Sequence, residues 1–409
     1  MADTTASSLQ ITTIAAHEGE LFRFTQQDRT IACCTCQDGK LTFTIVYDFK
    51  DTPLTLASSA QIGDAVCIRI LPQRIELLIE GHIVDEEWPC GHHALAGAEC
   101  IADVQCQVQA YVPEKTAALP CVLGTITQAE GWKPEENVFV GDCMPYVDGD
   151  RYHVLYLKDR HHHCSKWGLG AHQWEHISTA DFREWQIHPT AVSIDDPSEA
   201  SICTGSWIRH QGRHYLYYTI RTCDGSPASI CRSVSEDGYH FCKDPSFAIV
   251  LSDRYTGVSA RDPKIILDDQ GTYHMLLTTS LQATHRGCLA HLVSHDLLTW
   301  QEMPEPLYVS PTQDEPECCD YFFKDGWYYL VFSLRSHGQY LYSRKPFSAW
   351  HQPADPIIPC KSVPKAATWH NRIIFTGFDG HGHYAGTMTF TEATVSANGE
   401  LHFIQPFEI

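Results

Sequence analysis

Three carboxylates in the second half of the chain occupy similar positions ahead of a recurring aromatic segment. Asp142, Asp262 and Glu317 each lie about ten residues before such a segment. Glycoside hydrolysis needs one carboxyl group that protonates the leaving oxygen and a second that attacks the anomeric carbon or activates water. A third can stabilise positive charge in the transition state. The three acids therefore predict a centre for cleaving glycosidic bonds.

The aromatic segment recurs five times and marks a repeated unit. Its copies lie at residues 148–157, 211–220, 270–279, 325–334 and 371–380. A repeat of roughly 45 to 65 residues with several short strands is typical of a β-propeller, in which the first strand of each blade lines the central channel. We therefore predict an all-β fold with a five-bladed propeller and expect the three acids to converge on its axis. A β-sandwich with coincidental aromatic strands is the alternative.

The turns after the aromatic segments support this repeat. In the first four units a turn of small and charged residues ends in an aromatic side chain, at Trp185, Phe241, Trp300 and Trp350. Small and acidic residues reverse the chain tightly between neighbouring strands. The propeller is predicted over residues 138–409.

The first 112 residues follow a different pattern. Apolar and polar residues alternate in LFRFTQ, LTFTIVYDF and AVCIRI, and turns such as Asp-Gly separate these runs. Alternation of this kind indicates strands with one buried face. We predict a small antiparallel β-sandwich at residues 1–112, followed by a linker or strap at 113–137.

Composition narrows the classes of partner and compartment. A formal net charge of −21 over 409 residues disfavours nucleic acid, because phosphate binding needs a basic face. No stretch approaches the roughly 20 apolar residues of a membrane helix, and MADTTASSLQITT does not read as a secretory signal. We therefore expect a cytoplasmic protein with no membrane partner, whose 18 cysteines are mostly free thiols.

Two groups of residues suggest a metal site without having the spacing of one. Cys33, Cys34 and Cys36 form the first group, and the run from His161 to Cys164 forms the second. Neither has the paired Cys-x-x-Cys arrangement with a matching second half. We predict no metal and interpret the cysteines as scattered core residues.

The surroundings of two acids predict different protonation states. Glu317 lies near Asp314, Glu315 and Asp320 in the sequence, and such crowding raises the pKa of a buried carboxyl group. A general acid requires a raised pKa. Asp142 lies outside this cluster, so we expect it to stay ionised.

The motifs around these acids resemble glycoside hydrolase family 32, the β-fructofuranosidases that include invertases, levanases and inulinases. The family's Arg-Asp-Pro motif stands here as residues 261–263, and its Glu-Cys motif as Glu317-Cys318. Residues 166–185, 203–206 and 365–378 are similar to further family segments. The resemblance covers about 135–409 and implies a propeller with three-carboxylate chemistry and no cofactor.

The resemblance also implies roles for individual residues. Asp142 would be the nucleophile, Glu317 the general acid/base and Asp262 the stabiliser of the transition state, while Arg261 would hold sugar hydroxyls. Four further residues are substrate-binding candidates: Trp167, Trp174, Ser206 and His172. For the tryptophans the alternative is a place in the blade core, and for His172 a structural role.

Some features depart from the family pattern. The family's nucleophile motif reads Trp-x-Asn-Asp-Pro-Asn-Gly, whereas Gly141 and Met144 replace its two asparagines here, and Leu157 stands where a glutamine is usual. The sandwich also precedes the propeller instead of following it. These changes bear on the donor sugar more than on the type of reaction.

Three readings compete with a retaining hydrolase of fructosyl oligosaccharides. One is a fructosyltransferase, and another is an inverting glycosidase of the arabinan and xylan type, whose carboxyl groups lie further apart. The third is a sugar-binding propeller with a decayed site. A small carbohydrate is the expected partner, and a homo-oligomer is left open.

Overall fold

The computed structural model describes residues 8–112, 119–135, 137–164, 172–196 and 198–408. The chain divides into two compact units. Unit 1 comprises Met1–Lys115, His163–Ala171 and Ile194–Ala200, and unit 2 comprises Thr116–His162, His172–Ser193 and Ser201–Ile409. The boundaries at 112 and 137 drawn from the sequence stay a prediction.

Within its described residues, unit 1 contains ten strands that form two antiparallel sheets. They are β1 (Leu9–Ile14), β2 (Gly19–Gln26), β3 (Arg29–Gln37), β4 (Lys40–Tyr47), β5 (Lys50–Ser59), β6 (Ala65–Ile70), β7 (Ile75–Ile79), β8 (His82–Glu87), β9 (Glu99–Ala102) and β10 (Gln107–Ala110). The strand orders are β10-β1-β6-β7-β8 and β5-β4-β3-β2-β9. One apolar core draws residues from both sheets, so the predicted β-sandwich is confirmed.

Alternating burial explains why this unit was recognisable from its sequence. Along β4, Leu41, Phe43 and Ile45 are buried while the residues between them are partly exposed. Successive side chains of a strand point to opposite faces. Each sheet therefore places one apolar face against the other sheet and leaves its second face nearer to solvent.

Unit 2 contains the remaining strands. They are β11 (Gly124–Ile126), β12 (Phe139–Asp148), β13 (Arg151–Asp159), β14 (Gln173–Thr179), β15 (Trp185–Val192), β16 (Glu199–His210), β17 (Arg213–Thr222), β18 (Ser229–Ser235), β19 (Cys242–Lys243), β20 (Arg261–Leu267), β21 (Tyr273–Ser280), β22 (Gly287–Ser294), β23 (Gln301–Glu302), β24 (Tyr308–Val309), β25 (Glu317–Lys324), β26 (Trp327–Leu334), β27 (His337–Ser343), β28 (Ser362–Trp369), β29 (Arg372–Asp379), β30 (Thr387–Val395) and β31 (Leu401–Ile404). A short 3-10 turn, Gly257–Ser259, precedes β20.

These strands form five successive sheets, which we number I to V. They contain β11–β15, β16–β19, β20–β24, β25–β27 and β28–β31. The predicted aromatic segments become β13, β17, β21, β26 and β29, so each is the strand next to the first long strand of its sheet. The first strands also contact one another between sheets: β20 contacts β25, β25 contacts β28, and β28 contacts β12. Side chains on these strands therefore meet in the interior of the unit.

Several strands of unit 2 are buried on both faces. All eight residues of β21 are buried, and the central residues of β12 are buried without alternation. Strands of this kind lie between neighbouring sheets, as the strands of propeller blades do. The all-β class is confirmed, and the count of five blades stays a prediction. Among the described residues, no helix is long and apolar enough to cross a membrane.

Candidate functional site

In four sheets a β-bulge interrupts the first long strand near its start. Pairing with the second strand shifts between Val140 and Cys143, between Arg261 and Lys264, and between Glu317 and Asp320. Sheet V has the same shift after Ser362. A bulge inserts one residue, bends the strand and re-aims the side chains beside it. Each bulge therefore turns side chains of a first strand toward the interior.

The three predicted acids occupy different positions of these bulges. If the last paired residue before each bulge is counted as position one, Glu317 stands at position one, Asp262 at position two and Asp142 at position three. Asp262 and the neighbouring Cys318 have positive φ angles of 58° and 52°, which non-glycine residues seldom adopt. From the sequence we expected the three acids to occupy equivalent positions relative to their aromatic strands. Their convergence depends instead on how each bulge turns its own residues.

Asp142 is buried and accepts hydrogen bonds from uncharged donors. It is 7% exposed. Its Oδ2 accepts from Thr204 Oγ1 at 2.7 Å and from Cys318 Sγ at 3.3 Å, and its Oδ1 accepts from Tyr384 Oη at 3.2 Å. Both carboxylate oxygens are thus oriented, and sheets I, II, IV and V all contribute to this arrangement.

Asp262 is connected to Asp142 through a single residue. The Cys318 backbone N–H donates to Asp262 Oδ2 at 2.9 Å, while the Cys318 thiol donates to Asp142. Asp262 is 2% exposed. Because Glu317 directly precedes Cys318, all three acids gather around one short segment of β25. The structure therefore brings together the three residues that the sequence singled out.

Arg261 links Glu317 to a fourth acid. Its guanidinium lies 2.7 Å from Glu317 Oε1 and 2.5 Å from Glu315 Oε2, and its Nε lies 3.6 Å from Asp262 Oδ2. Burial alone would lower the pKa of Arg261, but the three carboxylates outweigh it and raise the pKa. The charged fork, expected to hold sugar hydroxyls, binds protein carboxylates in this structure.

The pKa of Glu317 is raised, as a general acid requires. Partial burial is the largest cause; the Arg261 charge opposes it, and the negative charges of Asp262 and Asp142 add to it. The side chain keeps 45% exposure, so solvent and substrate can reach it. The direction agrees with the sequence analysis, whereas the acids that act most strongly are the other two members of the site.

The sequence neighbours of Glu317 are held by their own partners. Burial would raise the pKa of Glu315, but Arg261 and a 2.6 Å hydrogen bond from Ser280 lower it. Asp314 pairs with Arg335 at 2.8 Å. Asp320 pairs with Lys264 at 2.5 Å. Proximity in sequence thus did not identify the acids that matter to Glu317.

The remaining substrate-binding candidates contact protein groups. The Trp174 indole donates to the Cys203 carbonyl at 3.0 Å and the side chain has no exposure. Ser206 Oγ donates to the Pro263 carbonyl at 2.9 Å, which ties β16 to β20. His172 Nε2 lies 2.9 Å from Asp159 Oδ2 and is 2% exposed. Trp167 lies outside the described residues. Direct sugar contact by these four residues stays a prediction.

Several residues of the site were not assigned from the sequence. Thr204 and Cys318 stand inside recognisable motifs, so a search for donors to Asp142 could have considered them. Tyr384 lies in the turn between β29 and β30, more than 240 residues after Asp142, and no local pattern marks it. Lys365 is buried and donates to the Gly205 carbonyl at 3.1 Å, which places a positive charge in the interior near the acids.

Within the described ranges, one group of side chains has the composition of a metal site. Cys121, Asp237 and His240 place ligand atoms within 4.8 Å of one another. His240 already uses both ring nitrogens, on Asp237 Oδ2 at 2.7 Å and on the Leu119 carbonyl at 2.9 Å. Of the eighteen cysteines, sixteen are free thiols, and Cys34 and Cys36 lie in the sandwich core.

Solved structures of other proteins share the architecture of this chain. Sucrose-6-phosphate hydrolase from Lactobacillus gasseri aligns with a TM-score of 0.53 and 17% identity, over 64% of this chain and 60% of that one. Fructan 1-exohydrolase IIa from Cichorium intybus aligns with a TM-score of 0.56 and 14% identity, over 68% and 59%. At identities this low the structural likeness shows the fold alone, and this fold is the predicted propeller.

Sequence comparisons identify the family. An insoluble β-fructofuranosidase isoenzyme of Arabidopsis thaliana is 26% identical over 201 residues, and raffinose invertase of Escherichia coli is 27% identical over 227 residues. The matches cover 47% and 50% of this chain but only 33% and 41% of those proteins. The family model described as glycosyl hydrolases family 32 N-terminal domain matches residues 133–354, more than half of the chain. With the sequence motifs, this match shows that the chain belongs to glycoside hydrolase family 32.

Proposed function

We propose that the protein is a retaining glycosidase that acts on β-fructofuranosides, with Asp142 as nucleophile and Glu317 as general acid/base. The observation that carries the proposal is the meeting of Asp142, Asp262 and Glu317 around Cys318. Membership of family 32 and the names of the relatives support a fructosyl donor. The substrate is a small carbohydrate.

The first step transfers the sugar to the protein. A carboxylate oxygen of Asp142 attacks the anomeric carbon while Glu317 gives its proton to the leaving oxygen, so that a glycosyl ester forms and the alcohol departs. Asp262 lies beside both groups and stabilises the positive charge that develops on the sugar. The raised pKa of Glu317 favours the protonated form that this step consumes.

The second step releases the sugar. Glu317, now ionised, takes a proton from water, and the resulting hydroxide oxygen attacks the anomeric carbon of the ester. The bond to Asp142 breaks and the carboxylate is restored. Two inversions give net retention, so the configuration of the first product separates this mechanism from an inverting one.

The donor subsite differs from the family pattern at its polar contacts. Met144 is buried and its sulfur accepts a hydrogen bond from the Gly205 N–H at 3.3 Å, and Leu157 is also buried. Neither side chain offers the amide that the family places there. We therefore propose a preference for donors other than an ordinary terminal β-fructosyl unit of sucrose.

A panel of sugars tests the proposed function. Sucrose, raffinose, kestose, inulin, levan and an arabinan are incubated with the wild-type protein and with Asp142→Asn, and NMR records the anomer formed first. Hydrolysis of a fructoside with retention, absent from the variant, is expected. Binding of the same sugars without turnover would favour a sugar-binding propeller, and an inverted first product would exclude the glycosyl ester.

The cellular compartment and the oligomeric state of the protein are also proposals. The sixteen free thiols support a reducing compartment such as the cytoplasm. Cell fractionation of the native source checks this, and location in an oxidising compartment would contradict it. A homo-oligomer is checked separately by light scattering of the purified protein.

A further inference from the structure

Tyr384 reaches the proposed nucleophile from a distant part of the chain. Its hydroxyl donates to Asp142 Oδ1 at 3.2 Å, while the other two donors bind Oδ2. We propose that Tyr384 is a positioning residue for Asp142 and that Gly141 is required to admit it. The proposal rests on the assignment of Asp142 as the nucleophile and identifies what fixes its reactive carboxylate.

The phenol ring is held in place by its surroundings. The Tyr384 carbonyl accepts a hydrogen bond from His162 Nδ1 at 2.8 Å. Its ring packs against Phe378 and His172, with centroids 5.4 Å and 5.3 Å away. Because the ring has protein on several sides, its hydroxyl has a defined position relative to Asp142.

The turn that carries Tyr384 is also fastened to the strand of Asp142. The backbone groups of Val140 and Gly386 exchange two hydrogen bonds of 2.9 Å each. Val140 lies two residues before Asp142, and Gly386 lies two residues after Tyr384. Sheets I and V are therefore joined directly at the point where the hydroxyl meets the carboxylate.

Gly141 leaves the space that the hydroxyl occupies. A Cβ atom at this position would lie 2.8 Å from Tyr384 Oη, 3.1 Å from the Leu157 carbonyl oxygen and 3.2 Å from Leu157 Cβ. The first distance is shorter than real Cβ contacts, so one group would have to move. Where the family motif has an asparagine before its nucleophile, this chain has a glycine and receives a polar group from another sheet instead.

The chemistry suits a donor that orients an anion. Burial raises the pKa of Tyr384, and the negative charges of Asp142 and Asp159 raise it further. The phenol therefore remains protonated and can donate. A hydrogen bond from a neutral phenol fixes the direction of the carboxylate oxygen that accepts it, so Tyr384 helps to keep Asp142 aligned for attack.

The first test compares two tyrosine variants on the substrate found in the sugar panel. Tyr384→Phe is expected to lower kcat/KM about tenfold, since a hydrogen bond to a charged group is removed, and to do so through kcat with KM little changed, because the carboxylate is no longer aligned for attack. Tyr342→Phe removes a hydroxyl from the outer strand β27 and should match the wild type. An unchanged kcat/KM in Tyr384→Phe, or a loss confined to KM, would overturn the proposal.

A second test does not depend on turnover. The carboxyl resonance of Asp142 is assigned by its loss from the 13C NMR spectrum of Asp142→Asn, and its chemical shift is then compared between variants at one pH. In Tyr384→Phe this resonance should move, because the donor to Oδ1 is lost, whereas in Tyr342→Phe it should not. An unmoved resonance refutes the positioning role even if every sugar tried proves not to be a substrate, while a moved resonance without turnover contradicts only the proposed function.

Gly141 is tested by a double-mutant cycle in the same NMR measurement. Gly141→Ala should move the Asp142 carboxyl resonance about as much as Tyr384→Phe does, because the new methyl group displaces the hydroxyl. In the double variant the hydroxyl is already absent, so the two shifts should be less than additive. Additive shifts would contradict the required fit between Gly141 and Tyr384.

Discussion

Two buried carboxylates, Glu86 in the sandwich and Asp142 in unit 2, are held by different kinds of partner. In the sandwich, Glu86 has no exposure and pairs with Arg74, which also contacts Glu76 at 2.9 Å. Arg69 approaches Glu76 at 3.4 Å. In unit 2, Asp142 accepts instead from a threonine, a cysteine and a tyrosine.

The difference separates a carboxylate held in an ion pair from the proposed nucleophile. An arginine beside a buried acid offsets the cost of removing its charge from water, but it also neutralises the anion. Uncharged donors orient the carboxylate while leaving its negative charge available to a positively charged transition state. Arg261 in unit 2 lies instead beside Glu317, Glu315 and Asp262.

Replacement of the proposed nucleophile should have the largest effect. Asp142→Asn keeps the shape of the side chain but cannot form the glycosyl ester, so kcat should fall by at least about 10³-fold. Steady-state hydrolysis at saturating substrate measures this. Asp181→Asn, in an exposed turn of sheet I, is the control and should retain full activity. If Asp142→Asn turned over substrate at the wild-type rate, another residue would have to be the nucleophile.

Removal of the acid/base should depend on the leaving group. Glu317→Ala should lose about 10²- to 10⁴-fold on natural sugars, but substrates with good leaving groups need little protonation and should still give a burst of product. Slow release of the sugar follows from the missing base, so azide should accelerate turnover. Stopped-flow measurement of the burst checks this. Complete inactivity toward activated substrates would refute the assigned role.

Breaking an ion pair of the sandwich should affect stability rather than chemistry. Arg74→Leu leaves Glu86 buried beside an apolar side chain, and loss of one partner of a buried pair costs about 3–5 kcal/mol. Urea unfolding measures this loss of unfolding free energy. The kcat of the protein that remains folded should equal that of the wild type. A parallel fall in kcat would remove the distinction between the two kinds of carboxylate.

The pH dependence associated with Glu317 should be the smallest effect, because its side chain is 45% exposed. Its raised pKa means that the folded protein keeps this proton where the unfolded chain, with an ordinary value of about 4.3, has released it. Stability should therefore fall as the pH rises from that value through the folded pKa. Glu317→Gln should lack this decline in Tm. The basic limb of wild-type kcat/KM should lie above the ordinary range of glutamate.

Local patterns were sufficient for the strands and for the identity of the acids. Alternation predicted the sandwich, and the aromatic segments predicted β13, β17, β21, β26 and β29. Side-chain period and turn chemistry act over a few residues, so they are visible in the sequence. The Arg-Asp-Pro and Glu-Cys motifs were likewise sufficient to recognise the family.

Only the tertiary structure decided how the acids are used. A bulge depends on pairing between strands, and so the different positions of Glu317, Asp262 and Asp142 within their bulges have no local signature. The partners of Arg261 were likewise not visible in the sequence. Tyr384 meets Asp142 because the turn after β29 folds back onto β12. The sequence by itself determined which groups could react, and contacts between distant strands decided how these groups are paired, oriented and exposed.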